Sequence, residues 1–256
     1  MKVLILAAGY GTRLYPHTRN SPKPLLKIGK RPIINYLLDK LEELDDVSRI
    51  IIVTNERFFK QFQKWRDGLK IKRPLYIIND LTTSPADKLG AIGDMHFVFE
   101  SEGRFEDFLV LGGDNLFKDS LLDFIDFAKR KSPYVVAGLS DIKNRQEARN
   151  FGVVSLNRRN RIIRFYEKPK NPESSLVAMC LYYFPKEKLR LIAKYLSNPV
   201  NSPDTAGTYI SWLSSKDKVY GFKFSDFWFD IGHIHTYKKV QKEINLWQRD
   251  FLVLNL

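Results

Sequence analysis

The sequence predicts an α/β layered fold with right-handed crossovers. Two observations carry this. Short apolar runs rich in β-branched or aromatic residues recur at 3–6 (VLIL), 50–54 (IIIVT), 75–78 (LYII), 108–112 (FLVLG) and 134–139 (YVVAGL). Each reads as a strand of a parallel sheet, buried on both faces. Helical patterns fill the intervals, and strand–helix alternation builds layers.

In 33–44 the residues Ile33, Ile34, Leu37, Leu38, Leu41 and Leu44 form one apolar stripe at helical spacing, and Pro32 suits the turn before it. The stretch 119–130 repeats the pattern, with Asp119 or Ser120 as N-cap and Lys129 and Arg130 near its end. The second half is more mixed. "FGVVSL" and "RIIRFYEK" read as an antiparallel pair, and 176–184 is another strand. Helices are expected at about 186–196 and 204–215; "VYGFKF" and "FWFD" come next, then a last helix from about 234 to 248. There is no hexapeptide repeat, low-complexity tract or long linker, so 1–256 is expected to be a single domain.

The 256 residues are enough to bury a sizeable core, and 44% hydrophobic content supports a globular fold. No apolar stretch approaches the roughly 20 residues that span a bilayer. The single cysteine, Cys180, excludes an internal disulfide and fits a reducing compartment. Lys2 and the run after it imitate a secretory leader, but six apolar residues are too few and Arg13 follows closely. The run therefore reads as a buried strand, no membrane association is expected, and the protein is expected in the cytoplasm.

The net charge of +13 favours anionic partners, although much of it is ordinary surface charge. The densest basic cluster, "NRRNRIIRFYEKPK" at 157–170, alternates with apolar positions and reads as a hairpin with a basic turn. No stacking motif or zinc spacing accompanies the charge, so nucleic acid is not an expected partner.

The chain opens "MKVLILAAGYGTRLYPHTRNSPKPL". Gly9 and Gly11 lie just past the first strand, where open α/β sheets bind ligands. Glycines there let backbone N–H groups face an anion. A dinucleotide-binding turn needs a third glycine where Leu14 stands, and the Gly-Lys-Ser/Thr of a Walker loop is missing. What remains is a glycine turn with Thr12, the planar fork of Arg13, and Lys23 held between Pro22 and Pro24. A triphosphate loop and a plain basic surface loop both fit these residues.

The stretch "LAAGYGTRLYPHTRNSPKPLLKIGKRPII" resembles the signature of the sugar-1-phosphate nucleotidyltransferases of the glucose-1-phosphate thymidylyltransferase type: L-A-x-G-x-G-T-R-L-x-P-x-T, then P-K-P-L, then K-P-I. The resemblance continues in family order with "LGGDN" at 111–115, "FGVV" at 151–154, "EKP" at 167–169 and "WFDIG" at 228–232. It implies the nucleotide-diphospho-sugar transferase fold, a Rossmann-like three-layer sandwich around a mostly parallel mixed sheet. It divides the domain into a nucleotide-binding half, about 1–115, and a sugar-phosphate half, about 116–256. It further implies a nucleoside triphosphate and a sugar-1-phosphate as substrates, Mg²⁺ as cofactor, and possible homo-oligomers. The "GDN" form leans toward dTTP or UTP.

By the same resemblance Asp114 and Asp230 hold the metal. Arg13 binds the triphosphate and steadies the leaving pyrophosphate, and Lys23 reaches phosphate oxygens at the reacting centre. Lys168 holds the sugar phosphate, Glu167 accepts from sugar hydroxyls, and Gly152 lets backbone approach the sugar. The nucleotide is expected against Ala7, Ala8, Gly9, Gly11, Thr12, Arg13, Asn79 and Gly90, with Asn79 and Asp80 as candidates to read a base edge. The sequence departs from the pattern in two places. Asp87, Lys88 and Leu89 replace the family's G-T-A/L before Gly90, and Cys180 stands where glycine is usual. These departures motivate a second reading, a CTP-dependent cytidylyltransferase for phosphocholine or a similar phosphate. A third is a regulatory paralogue without activity, against which stand Arg13, Lys23, Asp114, Lys168 and Asp230, all present. Cys180 is not expected to be a nucleophile. His233 and His235 are expected to open a helix, where their spacing does not converge on a metal.

Overall fold

The computed structural model describes residues 1–253, and the side chains of 1–244; the last three positions of the expected domain lie outside that range. Four parallel strands form where the apolar runs predict them: β1 (Lys2–Leu6), with β2 (Lys27–Ile28) and β3 (Arg31–Pro32) making a small separate hairpin after it, then β4 (Arg49–Thr54), β5 (Leu75–Asn79) and β6 (Phe108–Gly112). Helices α1 (Ile33–Glu42), α2 (Glu56–Asp67) and α3 (Gly90–Glu102) connect them.

The chain continues through β7 (Asn115–Phe117), α4 (Leu122–Lys131), β8 (Val135–Asp141), the short α5 (Arg145–Ala148), β9 (Gly152–Leu156), β10 (Ile162–Glu167) and β11 (Leu176–Phe184). Then follow α6 (Leu191–Leu196), α7 (Ala206–Lys216), β12 (Val219–Phe224), β13 (Trp228–Asp230) and α8 (Ile234–Val253). The main sheet runs β10-β9-β11-β6-β1-β4-β5, with β8 against β11 and β12 against β8. β11 is antiparallel to β6, β8 and β9, so the sheet is mixed, as expected.

Alternate residues of the strands feed opposite faces. Val3 and Ile5 pack with α1, α2 and α4 through Ile34, Leu37, Phe58, Phe62 and Phe124. Leu4 faces the other way, toward α3, α6 and α7 through Ile92, Met95, Tyr195, Tyr209 and Ile210. This is the expected three-layer sandwich. A third, smaller core joins Leu14, Leu26, Ile28 and Ile33 to Leu116, Ile231, Val240 and Ile244. It ties the opening loop, β7, the end of β13 and α8 together.

Four expectations change. β5 is the sheet edge, so its outer face is open and Tyr76 is 47% exposed. β8 does not join the parallel set beside β6, because β11 lies between them. α4 starts at Leu122. Asp119 is drawn away to accept from Ser225 Oγ and Asp226 N–H at 2.9 Å each, while Ser120 Oγ accepts from Leu122 N–H at 3.2 Å. The expected helix at 186–196 is a 3-10 turn at Lys186–Lys188 followed by α6. The basic hairpin is formed by β9 and β10. Among the described residues no helix is long and apolar enough to cross a membrane.

The carboxyl ends of β1 and β6 meet at one edge of the sheet, where Gly113 N–H donates to Leu6 O at 2.9 Å. A Cβ on Gly113 would lie 2.9 Å from Pro24 Cγ and 3.0 Å from Leu6 O. Neither neighbour is the free end of a flexible side chain. Gly113→Ala is therefore expected to destabilise the fold by about 1–3 kcal/mol in denaturant unfolding, with Gly9→Ala, whose Cβ meets nothing within 4 Å, as the near-neutral comparison.

Candidate active site

The opening loop leaves the sheet under firm guidance. Ala7 N–H donates to Val53 O at 2.9 Å, and Asn55 Nδ2 donates to Ala8 O at 2.8 Å. Gly11 turns the chain at φ +65°, with its carbonyl accepting from Thr18 Oγ1 at 2.6 Å. The 3-10 turn Thr12–Leu14 then sends Leu14 into the third core and leaves Arg13 exposed. Arg13 Nη1 lies 3.4 Å from His233 Nε2. Burial and the Arg13 charge hold the His233 pKa below its ordinary value, which favours a neutral ring able to accept.

A second 3-10 turn, Lys23–Leu25, follows Pro22 and contains Pro24. It aims Lys23 at Asp114, and Nζ lies 2.6 Å from Oδ2. The short β7–β13 ladder pairs Asn115 with Asp230, and Ile231 N–H donates to Asp114 O at 3.0 Å. Two aspartates more than a hundred residues apart are thereby brought side by side. Burial and the charge of Asp114 push Asp230 up. Burial also opposes ionisation of Asp114, but the Lys23 charge holds that carboxyl below its ordinary value. Two carboxylates against one ammonium leave room for further positive charge. Hard oxygen donors of this kind suit Mg²⁺, which often takes one or two carboxylates and leaves its other positions to phosphates and water.

The sugar-phosphate candidates gather on the other side. Glu167 ends β10, and burial raises its pKa. Its Oε2 lies so close to α7 that a Cβ on Gly207 would come within 1.9 Å of it; one on Gly152 would meet Phe165 Cζ at 2.5 Å. Lys168 adopts φ +47°, and its Nζ is 3.8 Å from Glu167 Oε1.

Two cavities, about 380 and 400 Å³, open beside each other and share Arg13, Ala91 and Asp204. The first is lined by Ala8, Gly9, Gly11, Thr12, Arg13, Lys23 and Gly90. The second is lined by Arg13, Asp114, Gly152, Glu167, Lys168 and Asp230. The Lys23–Asp114 pair thus stands on their border. Two candidates fall outside. Ala7 is buried with its N–H committed to the sheet. Asn79 donates to Glu56 and accepts from Leu81 N–H at 2.9 Å. Tyr10, Asp94, Thr205 and Gly207 also line the cavities without having been singled out in the sequence.

Both departures from the family pattern acquire physical accounts. Asp87 accepts from the backbone N–H and hydroxyl groups of Thr83 and Ser84, and those bonds drive its pKa well down. Lys88 pairs with Asp204 at 3.0 Å. Gly90, at φ +76°, packs against Pro203 O, which a Cβ would approach to 2.6 Å. The loop is therefore docked onto the start of α7. Cys180 lies in the register shift of β11 at φ +52°, a conformation that favours glycine. Burial pushes its thiol far up, which disables it as a nucleophile. The expectation for His233 and His235 is corrected in one respect. Only His235 lies in α8, which begins at Ile234, so the helical spacing rule does not apply and the rings stack with centroids 5.5 Å apart. Among the described residues no group of three or more His, Cys, Asp or Glu is placed to hold a metal.

The profile of the nucleotidyl transferase family matches residues 2–245, and the chain belongs to that family of enzymes. The bifunctional protein GlmU of Methanocaldococcus jannaschii is 33% identical over 233 residues, covering 91% of this chain and 51% of that one. GlmU of Methanococcus maripaludis is 29% identical over 236 residues, covering 91% and 52%. The chain thus spans about half the length of these curated relatives. Among solved structures, a putative glucose-1-phosphate thymidylyltransferase from Bacillus anthracis superposes with a TM-score of 0.78 at 21% identity, covering 94% of both chains. A UDP-glucose pyrophosphorylase complexed with UDP-glucose gives 0.80 at 18% identity, covering 97% of this chain and 98% of that one. The family resemblance and the fold read from the sequence are both borne out.

Asp94 of the first cavity supplies a pH-dependent prediction. Burial and the charge of Asp80 raise its pKa in the fold. A carboxyl that binds its proton more tightly when folded loses stability as pH rises above its unfolded value of about 4. Asp94→Asn, which cannot ionise, is expected to match the wild type near pH 5 and to melt at a higher temperature than it near pH 8.

Proposed function

We propose that the chain transfers a nucleoside monophosphate from a nucleoside triphosphate to a sugar-1-phosphate, with Mg²⁺, releasing pyrophosphate. The observation that carries this reading is the Lys23–Asp114–Asp230 cluster on the border between two cavities that share Arg13. The triphosphate lies in the first cavity over the glycine turn, and the sugar phosphate lies in the second against Glu167 and Lys168. An oxygen of the sugar phosphate attacks the α-phosphorus as the bond to the β-phosphate bridging oxygen breaks. That nucleophile is largely ionised at neutral pH, because its second pKa is about 6, so no strong general base is needed. The demands are alignment of two polyanions and neutralisation of charge on the leaving group. Arg13 meets the leaving pyrophosphate, oriented by His233. Lys23 sits at the reacting centre, and Lys168 holds the acceptor phosphate. Asp114 and Asp230 would hold Mg²⁺, which when bound screens phosphate charge. On the sequence form of Gly113–Asn115 the donor is dTTP or UTP. The nucleotide half is about 1–115 and the sugar-phosphate half about 116–256, and a homo-oligomer is in keeping with the family resemblance.

The test is Mg²⁺-dependent pyrophosphate release, crossing five nucleoside triphosphates with a panel of sugar-1-phosphates and phosphocholine. Asp114→Asn is expected to lose at least about a hundredfold in kcat, the scale of removing one electrostatic contributor, while its circular dichroism stays native. Wild-type turnover in that variant would refute the metal assignment. Turnover of phosphocholine with CTP alone would favour the second reading, and release from no pair would favour the silent paralogue. Gly207→Ala, which must displace the Glu167 carboxylate, is expected to raise KM for the sugar phosphate about tenfold or more and to leave KM for the nucleotide unchanged.

A further inference from the structure

The basic hairpin turn at 157–161 takes no part in the transfer chemistry. Glu167 pairs with Gly152 at the cavity end of β9 and β10, so the turn that joins these strands lies at their other end. There Gly221 N–H donates to Asn160 O at 2.9 Å, and Arg161 bridges to Tyr220 of β12. Phe184 pairs with Phe108, the first residue of β6, while Tyr183 pairs with Val136 and Val135 with Val219. The starts of β8 and β12 therefore lie at the amino end of β6, away from Gly112 and the two cavities.

Cations gather along this end in three connected groups. Arg158, Arg159 and Arg161 belong to the hairpin turn, and the first two are exposed. Beside them the rings of Tyr220 and Tyr134 lie with centroids 5.7 Å apart. Lys131 Nζ stands 4.8 Å from the centroid of Tyr220, and the Nζ atoms of Lys218 and Lys188 stand 5.1 and 5.5 Å from that of Tyr134. Lys188 leads on into a further cavity of about 590 Å³, bounded by α6 and α7, where it pairs with Asp217. Arg190, Lys194 and Lys216 line the same cavity, exposed and without an ion pair among the described residues. The carboxylates of its wall are Asp217 and Glu187, so positive charge remains in excess. A face of one sign costs self-repulsion and attracts partners of the other sign. Each end of the band also carries an exposed aliphatic side chain. Val200, 88% exposed, sits between Asn198 and Asn201 of the cavity wall, and Ile163, 58% exposed, follows the hairpin turn. Trp212, half-buried against Tyr195 and Tyr209, completes the wall.

We propose that this end of the molecule docks on the surface of an anionic lipid bilayer, with lipid phosphates against the basic band and Val200 among the headgroups. Charge complementarity supplies the attraction, since anionic lipids draw clustered lysine and arginine. Tyrosine, tryptophan and long basic side chains join an apolar body to a polar tip, which suits a membrane–water interface. A single-stranded nucleic acid would need open ring faces for its bases. Tyr134 and Tyr220 carry lysines over their rings instead. A soluble polyanion also has no use for an exposed valine beside the cations, whereas a bilayer does. With the band at the far end of the sheet, docking leaves both active-site cavities open to soluble substrates. The sequence expectation of no membrane association rested on the want of a spanning segment and a leader, and docking on a surface needs neither.

The test is sedimentation of the full chain with lipid vesicles. No substrate is added, so the result stands apart from nucleotidyl transfer. The wild type is expected to bind mixed phosphatidylglycerol–phosphatidylcholine vesicles at low salt and to bind phosphatidylcholine alone far more weakly. Binding is expected to fall away at about 1 M salt, where screening acts within about 3 Å. Each basic side chain near such a surface contributes about fivefold. A variant combining Arg190→Glu, Lys194→Glu and Lys216→Glu is therefore expected to lose about a hundredfold or more with native circular dichroism. Should it not fold, Arg158→Ser with Arg159→Ser on the exposed turn is expected to lose about tenfold or more. Val200→Ser, which removes buried aliphatic groups and no charge, is expected to weaken vesicle binding about fivefold. Polyuridylate at matched phosphate concentration is expected not to displace the chain from the vesicles. Failure to bind the anionic vesicles overturns the proposal, as does equal binding to phosphatidylcholine. Undiminished binding in the charge variants removes the band as the docking surface. Displacement by polyuridylate, or binding unaltered by Val200→Ser, assigns the band to a soluble polyanion and overturns the bilayer.

Discussion

One ammonium, that of Lys23, is paired with Asp114 while the carboxyl of Asp230 stands beside them, and much of the surrounding architecture exists to keep them there. Asp114 and Asp230 repel one another in a partly buried place. Lys23 offsets only part of that repulsion. Such an arrangement is unfavourable for folding on its own, since like charges brought together and desolvated raise each other's pKa. It persists because the groups carrying it are fixed by backbone. The β7–β13 ladder sets Asp230 beside Asp114, and a proline-flanked turn sets Lys23. Excess negative charge held by rigid elements is preorganisation for a cation.

The third core explains how segments so distant in sequence stay in register. Leu14 follows Arg13, Leu116 lies two residues beyond Asp114, and Ile231 follows Asp230; all three pack with Val240 and Ile244 of α8. Tyr237 and Gln241 of that helix also bond the carbonyl of Lys27. Burying a few aliphatic side chains therefore fixes an arginine and two aspartates on the border of the cavities. A helix at the end of the fold thus supports a site assembled at the end of its first strand.

Two residues with left-handed backbone lie at the same place. Lys168 and Cys180 both take positive φ without being glycine, and both line the second cavity. Conformations of this kind cost of order 1–3 kcal/mol each and persist where surrounding structure over-determines them. At Cys180 the register shift of β11 is the determinant, because that strand must pair with β6, β8 and β9 in turn. At Lys168 it is the backbone bond to Phe151 O, 3.0 Å long, that holds the chain as it leaves β10.

The strands of the first half and most helices were legible in the sequence because burial on both faces and helical periodicity are local patterns. The glycine turn and Lys23 were legible too, because proline and glycine act on their own neighbours. Edge strand β5 and the start of α4 were misread, since a strand does not encode whether another lies beyond it, and Asp119 is captured by residues 106 and 107 positions away. Asn79 and Asp80 stood together as base-edge candidates, and local sequence had no means to separate them. The fold turned Asn79 toward Glu56 and buried Asp80 against Asp94. The sequence by itself determined the layers, the glycine turn and the family. Tertiary structure alone decided which carboxyls meet and which cavity each one faces. Those properties depend on distance and desolvation, which arise only when remote segments pack.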